Sequence, residues 1–135
     1  MVENGLYKIK DTYYTDFPNE NHIHNKEGRP FYYAVKDSYG IYWLIPLSSQ
    51  IDTYKRKIEA VERKRGKGNC LTYHIGIIAG QEKAFRICNM MPVIDEYIDG
   101  QFAFKGSHYI VRDKRLIREI SKKGDKQKIK KLYKT

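Results

Sequence analysis

The stretch Ile41–Leu47, IYWLIPL, is an apolar run of β-branched and aromatic residues. Such a run reads as a buried strand. It ends beside a proline, which has no N–H to give to a sheet ladder. Phe31–Asp37, FYYAVKD, precedes it across Ser38-Tyr39-Gly40. That spacing and those turn residues predict a hairpin. A hairpin this apolar must be covered by the rest of the chain, so it has to lie at the centre of the fold.

The remaining segments supply the cover. Leu6–Tyr14 has partial alternation and reads as a strand. Residues 16–30 are polar, hold two of the four prolines and read as a long loop. Leu71–Ala79 and Lys83–Cys88 flank Gly80-Gln81-Glu82, which predicts a second hairpin. Residues 101–106 read as a last short strand. In the segment from Ile51, the residues Ile51, Tyr54, Ile58 and Val61 form one helical stripe, closed by Gly66 and Gly68. A second helix is expected from about residue 112, on the stripe Ile110, Leu116, Ile117 and Ile120. Gly124 is expected to interrupt it, leaving residues 124–135 as a basic tail. Short antiparallel strands with two long basic helices make an α+β domain, a strongly bent sheet or partial barrel with the 51–65 helix packed on it. With 135 residues, the chain is expected to form one domain, 1–135.

The net charge of +10 is unevenly spread. Residues 1–50 carry −1, residues 51–68 carry +4, residues 69–104 carry −2 and residues 105–135 carry +9. The excess sits in the two helical segments alone. Basic charge confined to particular elements is the footprint expected of a nucleic-acid binder. A solvated lysine-rich surface is the alternative.

Several classes of function find no support. There is no P-loop, GxGxxG, HExxH or GxSxG. Cys70 and Cys88 lack zinc spacing and are expected as free thiols. No stretch approaches a membrane span, and the start has no apolar signal-peptide core, so a cytoplasmic protein without membrane partners is expected.

The apolar run is followed at once by Ser48-Ser49 and a basic helix. Ser49 reads as an N-cap, with Asp52 three residues on in a box-like arrangement. A helix N-terminus also carries unpaired N–H groups and partial positive charge, so a cap and an anion site are compatible there. His22 and His24 lie in the long loop, His74 falls in an apolar strand, and His108 sits at a strand-to-helix junction. The chain holds 12 tyrosines, which serve either as half-buried strand residues or as platforms for unpaired bases.

Three segments, NGLYKIKDTYYTDFP, GRPFYYAVKDSYGIYWLIPLSSQI and AFRICNMMPVIDEYI, resemble the toxins of type III toxin–antitoxin systems. The similarity is to the CptN branch of the ToxN/AbiQ endoribonucleases, over roughly residues 4–122. The resemblance implies a metal-independent endoribonuclease without cofactors, with a bent sheet like that of MazF- and Kid-type toxins. It also implies an RNA antitoxin, cut from a repeat, whose pseudoknot units block the toxin in a closed protein–RNA assembly. Carried over residue by residue, the active site falls on Arg29, Ser48 and Ser49, with His108 near a further family position. Arg29 stands where the family has lysine. Ile51 stands where the family has a basic residue, a role left to Arg29, Lys36 or Lys55.

On that reading the RNA 2′-OH attacks its own phosphate, giving a 2′,3′-cyclic phosphate and a 5′-OH. Arg29 clamps the phosphate, the serines bond its oxygens, and His108 is the expected acid or base. One bank for RNA comprises Lys55, Arg56, Arg63, Lys64, Arg65 and Lys67. The other comprises Arg112, Lys114, Arg115, Arg118, Lys122 and Lys123. Lys26, Tyr32, Tyr33 and Lys36 are expected to contact bases and backbone from the loop and first hairpin. Two rival readings stand: a non-catalytic RNA- or DNA-binding module, and a MazF-like ribonuclease toxin with a protein antitoxin.

Overall fold

A computed structural model describes residues 1–17, 29–36 and 40–133, with only the backbone of Val35, Lys36 and 131–133. The fold is α+β, with a mostly antiparallel sheet and three α-helices. The elements in chain order are β1 (Leu6–Ile9), α1 (Thr12–Asp16), β2 (Phe31–Lys36), β3 (Tyr42–Ser48), α2 (Ile51–Arg65), β4 (His74–Ile78) and β5 (Gln81–Phe85). These are followed by β6 (Met91–Val93), β7 (Ile98–Gln101), β8 (Ala103–Phe104), β9 (Ser107–His108) and α3 (Lys114–Tyr133). The main sheet runs β4-β5-β3-β2-β1-β7, with β6 on β3 and a separate β8–β9 hairpin. Among the described residues, no helix is long and apolar enough to cross a membrane.

β2 and β3 form the central hairpin, with Phe31 opposite Pro46 and Tyr33 opposite Leu44. Both faces of this hairpin are covered. Tyr32, Trp43, Ile45 and Leu47 enter one core with Leu6, Phe85 and the α3 residues Leu116 and Ile120. Phe31, Tyr33, Tyr42 and Leu44 enter a second core with Tyr7, Tyr13 and Met91. The alternation follows from the two-residue period of a strand. Pro46 is tolerated in β3 because the strand changes partner there. Tyr42–Leu44 pair with β6, and Leu47–Ser48 pair with β5. A residue without an N–H fits between two ladders.

The sheet bends until its ends approach. Ile78, at the end of β4, shares a core with Leu6 and Val111. The Ala79 N–H donates to the Tyr109 hydroxyl over 2.9 Å. No strand pairing closes the ring among the described residues. α3 covers one face of the β4–β5 hairpin, where Gly76 admits the Leu116 side chain and His74 meets Lys123. α2 covers the other, where Lys55 pairs with Glu82 at 3.0 Å.

Four local expectations need correction. The first strand stops at Ile9, and Thr12–Asp16 form a short helix that turns Tyr13 into the second core. The second hairpin turns on Ala79-Gly80, with φ of +52° and +79°, so Gln81 and Glu82 already belong to β5. Positive φ at both turn residues matches the twist of the flanking strands. The region read as one strand at 101–106 is divided among the end of β7, β8 and the turn after it. Finally, α3 continues through Gly124 to Tyr133. Gly124 is buried, and packing there offsets a glycine cost of about 1 kcal/mol.

Candidate active site

The Ser48 end of β3 lies between two neighbouring chain segments. On one side the Leu47 N–H donates to the Pro30 carbonyl over 3.2 Å, which places Arg29 beside the strand end. On the other side the Arg86 N–H donates to the Pro46 carbonyl over 3.0 Å. Arg29 precedes β2 and Arg86 follows β5, so the sheet order β5-β3-β2 brings two arginines to flank one strand end. α2 begins immediately beyond, at Ile51.

The floor of this region is aromatic. Tyr54, in the first turns of α2, is 5% exposed. The Arg86 Cζ stands 5.4 Å from its ring centroid, and Lys57 Nζ approaches the same ring at 5.3 Å. Tyr73 packs against Tyr54 with centroids 5.0 Å apart. Tyr14, from α1, faces Arg29 electrostatically. Burial followed by the Arg29 charge sets its acidity, and burial wins, holding the phenol protonated well beyond its ordinary range. Burial and the Arg86 charge both lower the Arg29 pKa from its usual value. Tyr73 is pushed up to about 12, first by burial and then by Cys88.

Among the described residues, two polar atoms are buried without a hydrogen-bond partner: the Tyr14 hydroxyl and the Arg86 Nε. Such atoms are uncommon, because an unsatisfied buried donor costs about 1–3 kcal/mol. The Arg29 and Arg86 guanidinium groups flank the strand end, and cations of this kind are chemically suited to an anion.

The serines differ from expectation. The residue before α2 is Gln50, and no side-chain cap bond forms. The Ser49 carbonyl accepts from the Ile51 N–H at 2.9 Å, and Ser48 Oγ accepts from the Gln50 N–H at 3.2 Å. The tight turn made by these bonds replaces the cap. Ser49 is exposed, and its hydroxyl is not committed to the helix.

His108 is not brought to this site. Its Nε2 bonds the Leu6 carbonyl at 2.9 Å, and its ring meets Tyr7 edge-on at 4.9 Å. The register places it beside Gly5, which pairs at the level of Tyr33 and Leu44. Strand spacings then put it roughly 15 Å from Ser48. It instead lines a separate open cavity of about 450 Å³ with Phe104, Ser107, Arg112 and Asp113.

The expected RNA contacts are partly redistributed. Tyr32 and Tyr33 are 1% and 5% exposed, so their rings belong to the two cores and are closed to bases. Their hairpin is covered on both faces, which composition did not reveal. Arg56, Arg63, Lys64, Arg65 and Lys67 are exposed, as are Arg112, Lys114, Arg115, Arg118 and Lys122. Lys55 is exposed but paired with Glu82. Lys123 is 6% exposed and bonds His74 Nδ1 at 2.9 Å, so it leaves the second bank. α2 and α3 lie on opposite faces of the β4–β5 hairpin, so the banks do not face each other across one groove. Lys26, His22, His24 and the Lys36 side chain fall outside the described residues.

Cys70 and Cys88 are free thiols. Among the described residues, no group of three or more His, Cys, Asp or Glu is placed to hold a metal. The residue that sequence reading missed is Arg86. Its signal was present, as one of only two cations between residues 69 and 104. The chain matches no protein-family model, and no curated protein matches it.

Proposed function

We propose that this chain is a metal-independent endoribonuclease toxin of a type III toxin–antitoxin system. It cuts cellular RNA and its own repeat RNA, and the bound pseudoknot unit blocks it in a closed protein–RNA assembly in the cytoplasm. Such a toxin has a MazF- and Kid-like partial barrel with two long basic helices. The observation that carries it is the Leu47–Pro30 hydrogen bond, which sets Arg29 beside Ser48 and Ser49. The resemblance assigns these three residues to one active site, and they come from segments far enough apart that only sheet pairing joins them.

The reaction needs no added nucleophile. The RNA 2′-oxygen loses its proton and bonds to the adjacent phosphorus. The P–O5′ bond breaks, and the 5′ oxygen takes up a proton. Charge builds on the non-bridging oxygens as the fifth bond forms, and donors fixed in advance stabilise it. Arg29 offers two parallel N–H groups for those oxygens. Ser49 and Ser48 supply hydroxyls from the opposite side. The exposed cations of α2 and α3 hold flanking phosphates, so affinity falls steeply with salt.

The deciding experiment incubates purified protein with its own locus transcript in EDTA. Defined fragments with 5′-OH and 2′,3′-cyclic phosphate ends are expected. Intact RNA that shifts on a gel overturns the nuclease reading. It favours the binding-module reading instead, which the exposed basic residues on both helices also support.

A further inference from the structure

We infer that Arg86 is the second phosphate-binding cation of this site, filling the role left apolar at Ile51, with the Tyr14 hydroxyl as a further donor to the same group. The inference rests on the ribonuclease reading for its ligand, an RNA phosphodiester, but the place of Arg86 beside the strand end stands on a backbone hydrogen bond and a ring contact.

Three observations converge. First, Arg86 is placed by the sheet: its N–H is bonded to Pro46, next to the Leu47 that fixes Arg29. A residue distant in sequence thus reaches the strand end from the side opposite Arg29. Second, its guanidinium is pre-positioned on the Tyr54 ring at 5.4 Å, and no carboxylate pairs with it among the described residues. This ring contact satisfies a face of the cation and none of its N–H groups. Third, the Arg86 Nε and the Tyr14 hydroxyl are the two buried atoms without a hydrogen-bond partner among the described residues. Both belong to the surroundings of Arg29. Folding would not leave two buried donors unpaired for the sake of stability, because each costs free energy. A phosphate supplies acceptor oxygens for such donors and a charge that offsets the Arg86 guanidinium.

Ile51 explains why the cation comes from the residue after β5. The first residue of α2 is apolar and half-buried, so a basic side chain there is replaced by one reaching in from the neighbouring strand end. Tyr14 is a hydrogen-bond donor and no base. Its proton serves a non-bridging or departing oxygen.

The test uses the full chain labelled with ¹⁵N-arginine. Inorganic phosphate is titrated while the Arg86 Nε–Hε resonance, assigned by its loss in Arg86→Lys, is followed. A saturable shift, weakened in Arg29→Gln, is expected. In parallel, RNA cleavage in EDTA is measured for Arg86→Gln, Arg86→Lys and Tyr14→Phe. Arg86→Gln should lose about 10²-fold in rate, with part recovered by lysine, and Tyr14→Phe about 10-fold. If phosphate leaves the Arg86 signal unmoved, the site is overturned whatever the fold of the variants. If a folded Arg86→Gln cuts RNA within about threefold of wild type, the catalytic assignment is overturned while the ribonuclease reading stands. If phosphate moves Arg86 but wild-type protein cuts no RNA, the anion site is supported and the ribonuclease reading fails.

Discussion

The Arg86 guanidinium rests on the face of Tyr54, with Cζ 5.4 Å from the ring centroid. The contact ties the end of β5 to the first turns of α2, so one aromatic residue fixes both a cation and the entry of a helix. Tyr54→Ala removes a buried ring and should cost about 3–4 kcal/mol in urea unfolding. Tyr54→Phe keeps the ring and should stay within about 1 kcal/mol of wild type. Equal losses in the two variants would mean that the hydroxyl, and not the platform, matters.

Ser49→Ala separates cap from catalysis. No cap bond forms at α2, so thermal unfolding should change by less than about 0.5 kcal/mol. Cleavage of RNA should fall by about 10²–10³-fold under the proposed function. A loss of about 1 kcal/mol with cleavage intact would restore the cap reading.

His108 is expected to matter for folding more than for chemistry. Its ring bonds Leu6 and packs on Tyr7, away from the serines. His108→Ala should lower stability by about 1–2 kcal/mol while, under the proposed function, the folded protein keeps its cleavage rate within a few fold. A rate loss of 10²-fold at unchanged stability would return His108 to the active site.

Gly76 tests the seat of α3. A Cβ there would meet Leu116 Cδ1 at 2.7 Å and Phe85 Cε1 at 3.0 Å. Gly76→Ala should destabilise by about 1–3 kcal/mol through overpacking. Adding Leu116→Ala should make the second substitution cheaper than it is alone, a coupling that a double-mutant cycle reads directly.

His74 gives a pH dependence with a defined sign. Burial first, and Lys123 second, push it down to about 4. The unfolded residue titrates near 6.5. Between those values the unfolded chain binds a proton that the folded chain refuses, so stability falls as pH drops from about 6.5 toward 4. Discounted for partial exposure, the expected loss is about 5 °C in melting temperature across that window. His74→Gln, which does not titrate, should show a smaller loss than wild type over the same range.

Much of the fold was legible locally. The pair FYYAVKD and IYWLIPL announced the central hairpin, because its turn and its apolar runs are adjacent in sequence. The stripe Ile51, Tyr54, Ile58, Val61 and the closing Gly66 placed α2 to the residue at its C-terminal end. Errors arose where tertiary packing overruled local pattern. Gly124 looked like a helix stop, but it lies buried within α3 near Met90. Tyr32 and Tyr33 looked available to bases, but both sheet faces are filled.

Sequence alone determined the strand-rich centre, the helix after Ser49 and the confinement of positive charge to two segments. Each depends on residues within one turn or one hairpin of each other. Tertiary structure alone decided which cations share a site. Arg29 and Arg86 are 57 positions apart by their numbering, and only the β2–β3–β5 pairing brings them to the same strand end. The hold of β1 on His108 keeps it away from the serines, and the packing of α3 on β4 turns Lys123 inward onto His74. Spacing along a chain encodes local hydrogen bonding and periodicity. Which distant side chains meet depends on strand order and register, and these are settled only when the whole core packs.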